Sequence, residues 1–148
     1  MVKTRGFLHI TISVKDLARA TAFYRDVLGC EIVRQGRIMT FMRTGDDQFV
    51  LTQLDHHVSP NAPGPVNEYT TLFHHAFLVD DADYDRAVAA LERDGTPTWN
   101  CTDFGHTTFP GRRHIYFMDP EGNSVELVTM LPDDRGAAAV PEKQVHHA

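Results

Sequence analysis

Two stretches of this chain repeat one pattern, and that repetition narrows the possible folds more than any other feature. "HITISVKDLARATAFYRDVLGCEI" begins at His9 and "HHAFLVDDADYDRAVAALERDGTP" at His74. In each, a His stands five residues before the Val that closes an alternating strand, His9 before Val14 and His74 before Val79. An Asp and a helix follow. Leu17, Ala20, Phe23, Tyr24, Val27 and Leu28 recur at helical spacing in the first copy, and Tyr84, Val88 and Leu91 in the second, where Asp81 is placed to cap and Gly95 to terminate. Short β-rich runs come next: "CEIVRQ", "RIMTFMRT" and "QFVLTQL" after the first helix, "TPTWNC", "HIYFMDP" and "SVELVTM" after the second. Each half therefore reads as βαβββ, an α+β fold of two tandem modules. The predicted boundaries are about 6–55 for module 1, a Pro- and Asn-rich linker at about 56–70, module 2 at about 71–131, and a peripheral or disordered tail over 132–148.

Strand alternation decides which side chains share a face. Ile10, Ile12 and Val14 form the apolar set of the first strand and belong under the helix, so His9, Thr11 and Ser13 point the other way. The same parity puts His74, Ala76 and Leu78 on the helix-free face of the second module, with His75, Phe77 and Val79 beneath its helix. In the last strand, Ser124, Glu126 and Val128 form one set. A carboxylate in a half-buried strand is costly unless something positive lies beside it. If the two helix-free faces close on one another, His9, His74 and Glu126 converge. Two imidazoles and a carboxylate make a facial triad, a donor set that takes Fe(II), Mn(II) or Zn(II), and a bound cation would neutralise Glu126.

Composition removes other classes. The formal charge of −6 without a Lys/Arg run argues against a nucleic acid or an anionic membrane as partner. No apolar stretch reaches the ~20 residues of a spanning helix, and the N-terminus lacks a signal-peptide core, so a cytoplasmic protein is expected. Cys30 and Cys101 form neither a CxxC pair nor a disulfide framework and read as reduced, small apolar fillers.

"LHITISVKDLARATAFYRDVLGCEI", "FHHAFLVDDAD" and "FMDPEGNSVELV" resemble the three signature regions of the vicinal oxygen chelate superfamily, across about residues 6–130. That superfamily includes glyoxalase I, fosfomycin thiol transferases, methylmalonyl-CoA epimerase, bleomycin-binding proteins and type I extradiol dioxygenases. The resemblance implies paired βαβββ modules forming a U-shaped cup, a metal held by His9, His74 and Glu126, and a homodimer. Whether the modules pair within one chain or swap between two chains stays open. Filled ligand positions disfavour the metal-free bleomycin-binding branch. The strand "QFVLTQLD" offers Thr52 and Gln53 but no acidic fourth ligand of the glyoxalase I kind.

Among the branches, the resemblance points first to an extradiol dioxygenase that opens a small catechol with O2 at Fe(II), with Mn(II) as the other candidate metal. "LTQLDHHVSPN" is similar to the region of that branch's first acid/base His, assigned to His56 with His57 as its neighbour. "DFGHTTF" is similar to the loop of the second, His106, a role that His114 is also placed to take. Tyr116, ten residues before Glu126, stands where those enzymes place a tyrosine. Phe41, Phe49, Phe104, Phe109 and Trp99 are candidates for an aromatic pocket or for plain core. The alternative is a fosfomycin-type thiol transferase, with Thr11 assisting and Arg112, Arg113 or Arg135 as candidate anion-binding groups, although the Lys and Ser cluster of such enzymes is replaced here by "CTDFGHTTFPGRRH". A non-catalytic protein binding an aromatic drug or metabolite is the third reading.

Overall fold

The computed structural model describes residues 8–56, 73–100 and 112–129. The linker beyond His56, the "DFGHTTF" loop and the tail therefore fall outside the described residues. Module 1 runs β1 (Ile10–Val14), α1 (Leu17–Asp26), β2 (Glu31–Gln35), β3 (Met39–Thr44) and β4 (Asp47–Gln53). Module 2 runs β5 (His75–Leu78), α2 (Asp81–Asp94), β6 (Thr98–Trp99), β7 (His114–Met118) and β8 (Ser124–Val128). Each forms a four-stranded mixed sheet, in the orders β1-β4-β3-β2 and β5-β8-β7-β6. The first strand of each module lies parallel to the last, Ile12 opposite Leu51 and Ala76 opposite Glu126. This is the paired βαβββ architecture.

The helices begin and end for local reasons. The Asp16 side chain caps α1 by accepting from the Arg19 N–H at 2.9 Å. α1 then buries Leu17, Ala20, Thr21, Phe23 and Tyr24. The cap of α2 is Asp80 rather than Asp81, which is the first helical residue, and Asp80 makes no side-chain capping bond there. α2 ends at Gly95, whose φ of 79° is the left-handed conformation that glycine adopts without steric cost.

One core joins the two modules. Phe49 and Phe77 meet edge to face at 5.4 Å, Tyr24 lies 6.0 Å from Phe77, and Phe23 lies 6.1 Å from Phe117. Phe49 shares a face with Ile12 and Leu51, and Phe77 with Leu127, so within one chain the helix-covered faces of the two sheets share the core. Ile10 departs from the sequence expectation: it is 42% exposed, because the helix covers Ile12 and Val14 but leaves Ile10 in a cleft beside β5.

The turn between β7 and β8 is fastened to module 1, which fixes the start of β8. Asp119, 3% exposed, accepts from the Glu121 and Asn123 N–H groups, the Asn123 side chain and the Tyr24 hydroxyl, at 2.8 to 2.9 Å. Gly122, at φ 81°, lets the chain reverse. Glu121 accepts from the Lys15 and Asp16 N–H groups at 2.7 and 3.0 Å, and from Arg19 at 2.9 and 2.6 Å. Burial would raise the Glu121 carboxyl, yet these bonds and the Arg19 charge hold it below the usual 4.5. A depressed acid stabilises the fold above its unfolded value and loses that contribution as the pH falls through the lowered one. Asp119 is shifted upward, chiefly by burial, and so acts in the opposite sense. Glu121→Gln should cost about 1–3 kcal/mol at neutral pH. In urea unfolding the difference from the parent should shrink below pH 4.5, and a constant difference would show that the charge of Glu121 is not what matters.

Candidate metal centre

Glu126 sits in the middle of β8 with its side chain almost out of solvent, 7% exposed as a residue. Strand register surrounds it: Ala76 is its neighbour on β5 and Tyr116 its neighbour on β7. Just before β5, His74 places Nε2 3.1 Å from Glu126 Oε2. The Tyr116 hydroxyl donates to the same carboxylate. Burial pushes the Glu126 carboxyl up, but the hydrogen bonds from His74 and Tyr116, with the charges of His74 and His114, bring it below its ordinary range. The partner that a buried carboxylate requires is thus supplied by the imidazole of His74, just before β5, together with the Tyr116 hydroxyl. The same oxygen and nitrogen are ordinary ligands for a divalent cation.

Rings wall this centre. Tyr116 lies edge to face with His74 at 5.3 Å and with His114 at 5.9 Å. His114 is buried and, two residues before Tyr116 on β7, shares its face. Trp99, directly opposite Tyr116 on β6, stacks on its ring at 6.3 Å and 21°. His75 takes the other face, toward Asp119, and burial lowers its pKa.

The remaining candidates are placed elsewhere. His9 lines a 520 Å³ cleft with Leu8, Ile10, Phe49, Ala76 and Leu78, and among the described residues no group of three His, Cys, Asp or Glu side chains is arranged to hold a metal. Within one chain the structure brings together His74 and Glu126 and does not add His9 to them. His56 is exposed on the turn that follows β4. His57, His106, Phe104, Phe109 and Arg135 lie outside the described residues. Phe49 is core at 2% exposure, and Arg113 is tied to Asp85 and stacked 4.2 Å over the Tyr84 ring, which makes it a fastening between α2 and β7. Sequence reasoning passed over that fastening and the Asp119–Glu121 network. The signal was present in the acidic first turn of α2 and in the "DPEGN" run, but the partners stand far away in the chain.

Comparison with known proteins bears on what such a centre does. The profile of the Glyoxalase/Bleomycin resistance protein/Dioxygenase superfamily matches residues 6–127. The metallothiol transferase FosB of Staphylococcus epidermidis is 28% identical over 131 residues, 88% of each chain. The glutathione transferase FosA of Serratia marcescens is 27% identical over 119 residues, 80% of this chain and 77% of that one. Among solved structures, the fosfomycin resistance protein FosX of Mesorhizobium loti is 28% identical, with a TM-score of 0.63, over 90% of this chain and 98% of its own.

These relatives overturn the ring-cleaving reading. They are thiol transferases and fosfomycin resistance proteins, so the extradiol dioxygenase, its catechol and its O2 are withdrawn, and the iron they required loses its ground. The physical reason is that two imidazoles and one carboxylate suit several divalent metals, so the donor set alone does not select one chemistry. The acid/base pair meant to separate the branches was His56 and His106. His56 stands exposed on module 1, and His106 is not among the described residues.

Proposed function

Because the chain belongs to the Glyoxalase/Bleomycin resistance protein/Dioxygenase superfamily, we propose that it is a metal-dependent transferase that joins a thiol to fosfomycin, a small phosphonate-bearing epoxide. The observation that carries the proposal is the His74–Glu126 pair at 3.1 Å, with the Tyr116 hydroxyl on the same carboxylate. FosB is named a metallothiol transferase and FosA a glutathione transferase, both aligned with four-fifths or more of the chain, and the FosX of Mesorhizobium loti is named a fosfomycin resistance protein.

His74, Glu126 and His9 are the metal ligands in this reading, with Mn(II) the cation that the mixed N/O donor set suits. A bound cation would polarise the epoxide oxygen as a Lewis acid. The sulfur of the thiol forms a bond to an epoxide carbon, the carbon–oxygen bond breaks, and the released oxygen takes a proton. Tyr116, held against Glu126, orients that carboxylate and presents a phenol to the substrate side. Thr11, two residues after His9 on the same face, supplies a hydroxyl for the opened oxygen.

His9 reaches the centre from a second copy of the chain. The helix-covered faces of the two sheets already pack together, so His9 and Glu126 stand on the opposite sides of their sheets from that packing. β1 and β5 are both sheet edges, and Leu8, Ile10, Phe73 and Leu78 beside them are 85%, 42%, 67% and 58% exposed. Unpaired apolar edges are surfaces that another chain covers. The test of the activity is direct: the full chain, loaded with Mn(II), should consume glutathione in the presence of fosfomycin and form an adduct seen by mass spectrometry. Intact fosfomycin after incubation with glutathione, cysteine and bacillithiol in turn would refute the assignment.

A further inference from the structure

We propose that Trp99 is a binding residue of this site, donating its indole N–H to an oxygen of a ligand group that extends beyond the reacting atoms. The inference rests on the transferase reading and deepens it by locating where the longer partner lies.

Trp99 is 9% exposed, yet its Nε1 is buried and has no hydrogen-bond partner among the described residues. An indole N–H is a donor only, and a buried donor without an acceptor costs free energy that native structures rarely leave uncompensated. Register places the residue: Trp99 is opposite Tyr116 and Tyr116 is opposite Glu126, so all three stand on one face in one row across the sheet. Stacking on Tyr116 at 21° fixes the indole plane.

Distance selects the ligand group. Trp99 is two strands from Glu126, and each strand step is about 4.8 Å, so the two backbones are roughly 10 Å apart. A three-carbon epoxide bound beside Glu126 is too short to span that row. The acceptor therefore belongs to a longer molecule, and the thiol co-substrate, with carboxylate and amide oxygens distant from its sulfur, has the required length. A carboxylate oxygen suits the site, since a charged acceptor makes the stronger bond to a buried N–H.

The chain contains one tryptophan, so its fluorescence reports on this residue alone. S-methylglutathione, which cannot react, should shift the emission of the Mn(II)-loaded full chain in a saturable manner, whereas fosfomycin should not. Trp99→Phe keeps the stacked ring but removes the N–H, and calorimetry should show S-methylglutathione binding weakened by about tenfold or more, the scale for losing one charge-assisted bond. Fosfomycin affinity and thermal midpoint should stay near parental values. A shift with fosfomycin alone would move the acceptor to the epoxide and overturn the assignment to the thiol. No shift with either ligand, or parental S-methylglutathione affinity in Trp99→Phe, would overturn the proposal altogether. Because the titrations need no turnover, they are separate from the test of fosfomycin modification.

Discussion

Glu126→Gln is expected to remove metal retention and reduce thiol addition by about 10³-fold or more, while leaving the chain folded. The substitution keeps the shape of the side chain and its place between Ala76 and Tyr116, but it replaces an anionic ligand with a neutral amide. A neutral oxygen opposite two imidazoles gives a divalent cation no charge compensation, and loss of one of the three proposed protein ligands should exceed the 10- to 100-fold cost known for changing an outer-shell partner. The effect on folding should be small. Without a cation, Glu126 is stabilised by His74 and Tyr116, and glutamine offers an oxygen acceptor to the Tyr116 hydroxyl and to His74. Metal content after gel filtration, activity and thermal midpoint together decide the matter. Metal retained at one per chain would remove Glu126 from the ligand set, and a collapsed thermal midpoint would make it a structural residue.

The halves of the fold were legible because the same pattern occurs twice. An alternating strand, an Asp and a helix of period 3.6 can be read without knowing what they pack against, and the βαβββ order follows from the three β-rich runs. The parity of β1 and β5 also gave the face on which each His stands. What parity cannot give is which faces meet. The sequence reading brought the helix-free faces together but left open whether they meet within one chain or between two, and within one chain Phe49 with Phe77 and Phe23 with Phe117 bring the helix-covered faces into one core. That choice depends on aromatic side chains far apart in sequence, each of which alone reads as ordinary core. Tyr116 illustrates the complementary limit. Its place ten residues before Glu126 was visible, but its contact with the carboxylate depends on the β7–β8 register, which the Asp119 turn and its anchors on Tyr24 and Ser13 set in space. The chemistry was least legible, since one donor set serves several reactions and only the comparison with thiol transferases separates them.

If the centre is shared between two chains, two inactive variants should rescue one another. His9→Ala lacks the ligand from module 1, and Glu126→Ala lacks the ligand from module 2, so each homodimer has two defective centres. In a mixed dimer, the intact His9 of the Glu126→Ala chain meets the intact His74 and Glu126 of the His9→Ala chain at one centre, and both defects fall in the other. Random reassortment of equal amounts makes half of the dimers mixed, with one working centre of two. Activity should therefore rise from near zero to about a quarter of the parental value per chain, with metal content rising in step, and this arithmetic holds for any closed two-fold dimer. Unfolding and refolding the mixture together ensures exchange, and mass spectrometry under native conditions counts the mixed species. Recovery of a quarter would mean that no chain makes a complete centre by itself. Mixed dimers present in full amount but with no gain in activity or metal would place His9, His74 and Glu126 together within one chain, and the helix-free faces would then have to close by a rearrangement of the core built on Phe49 and Phe77.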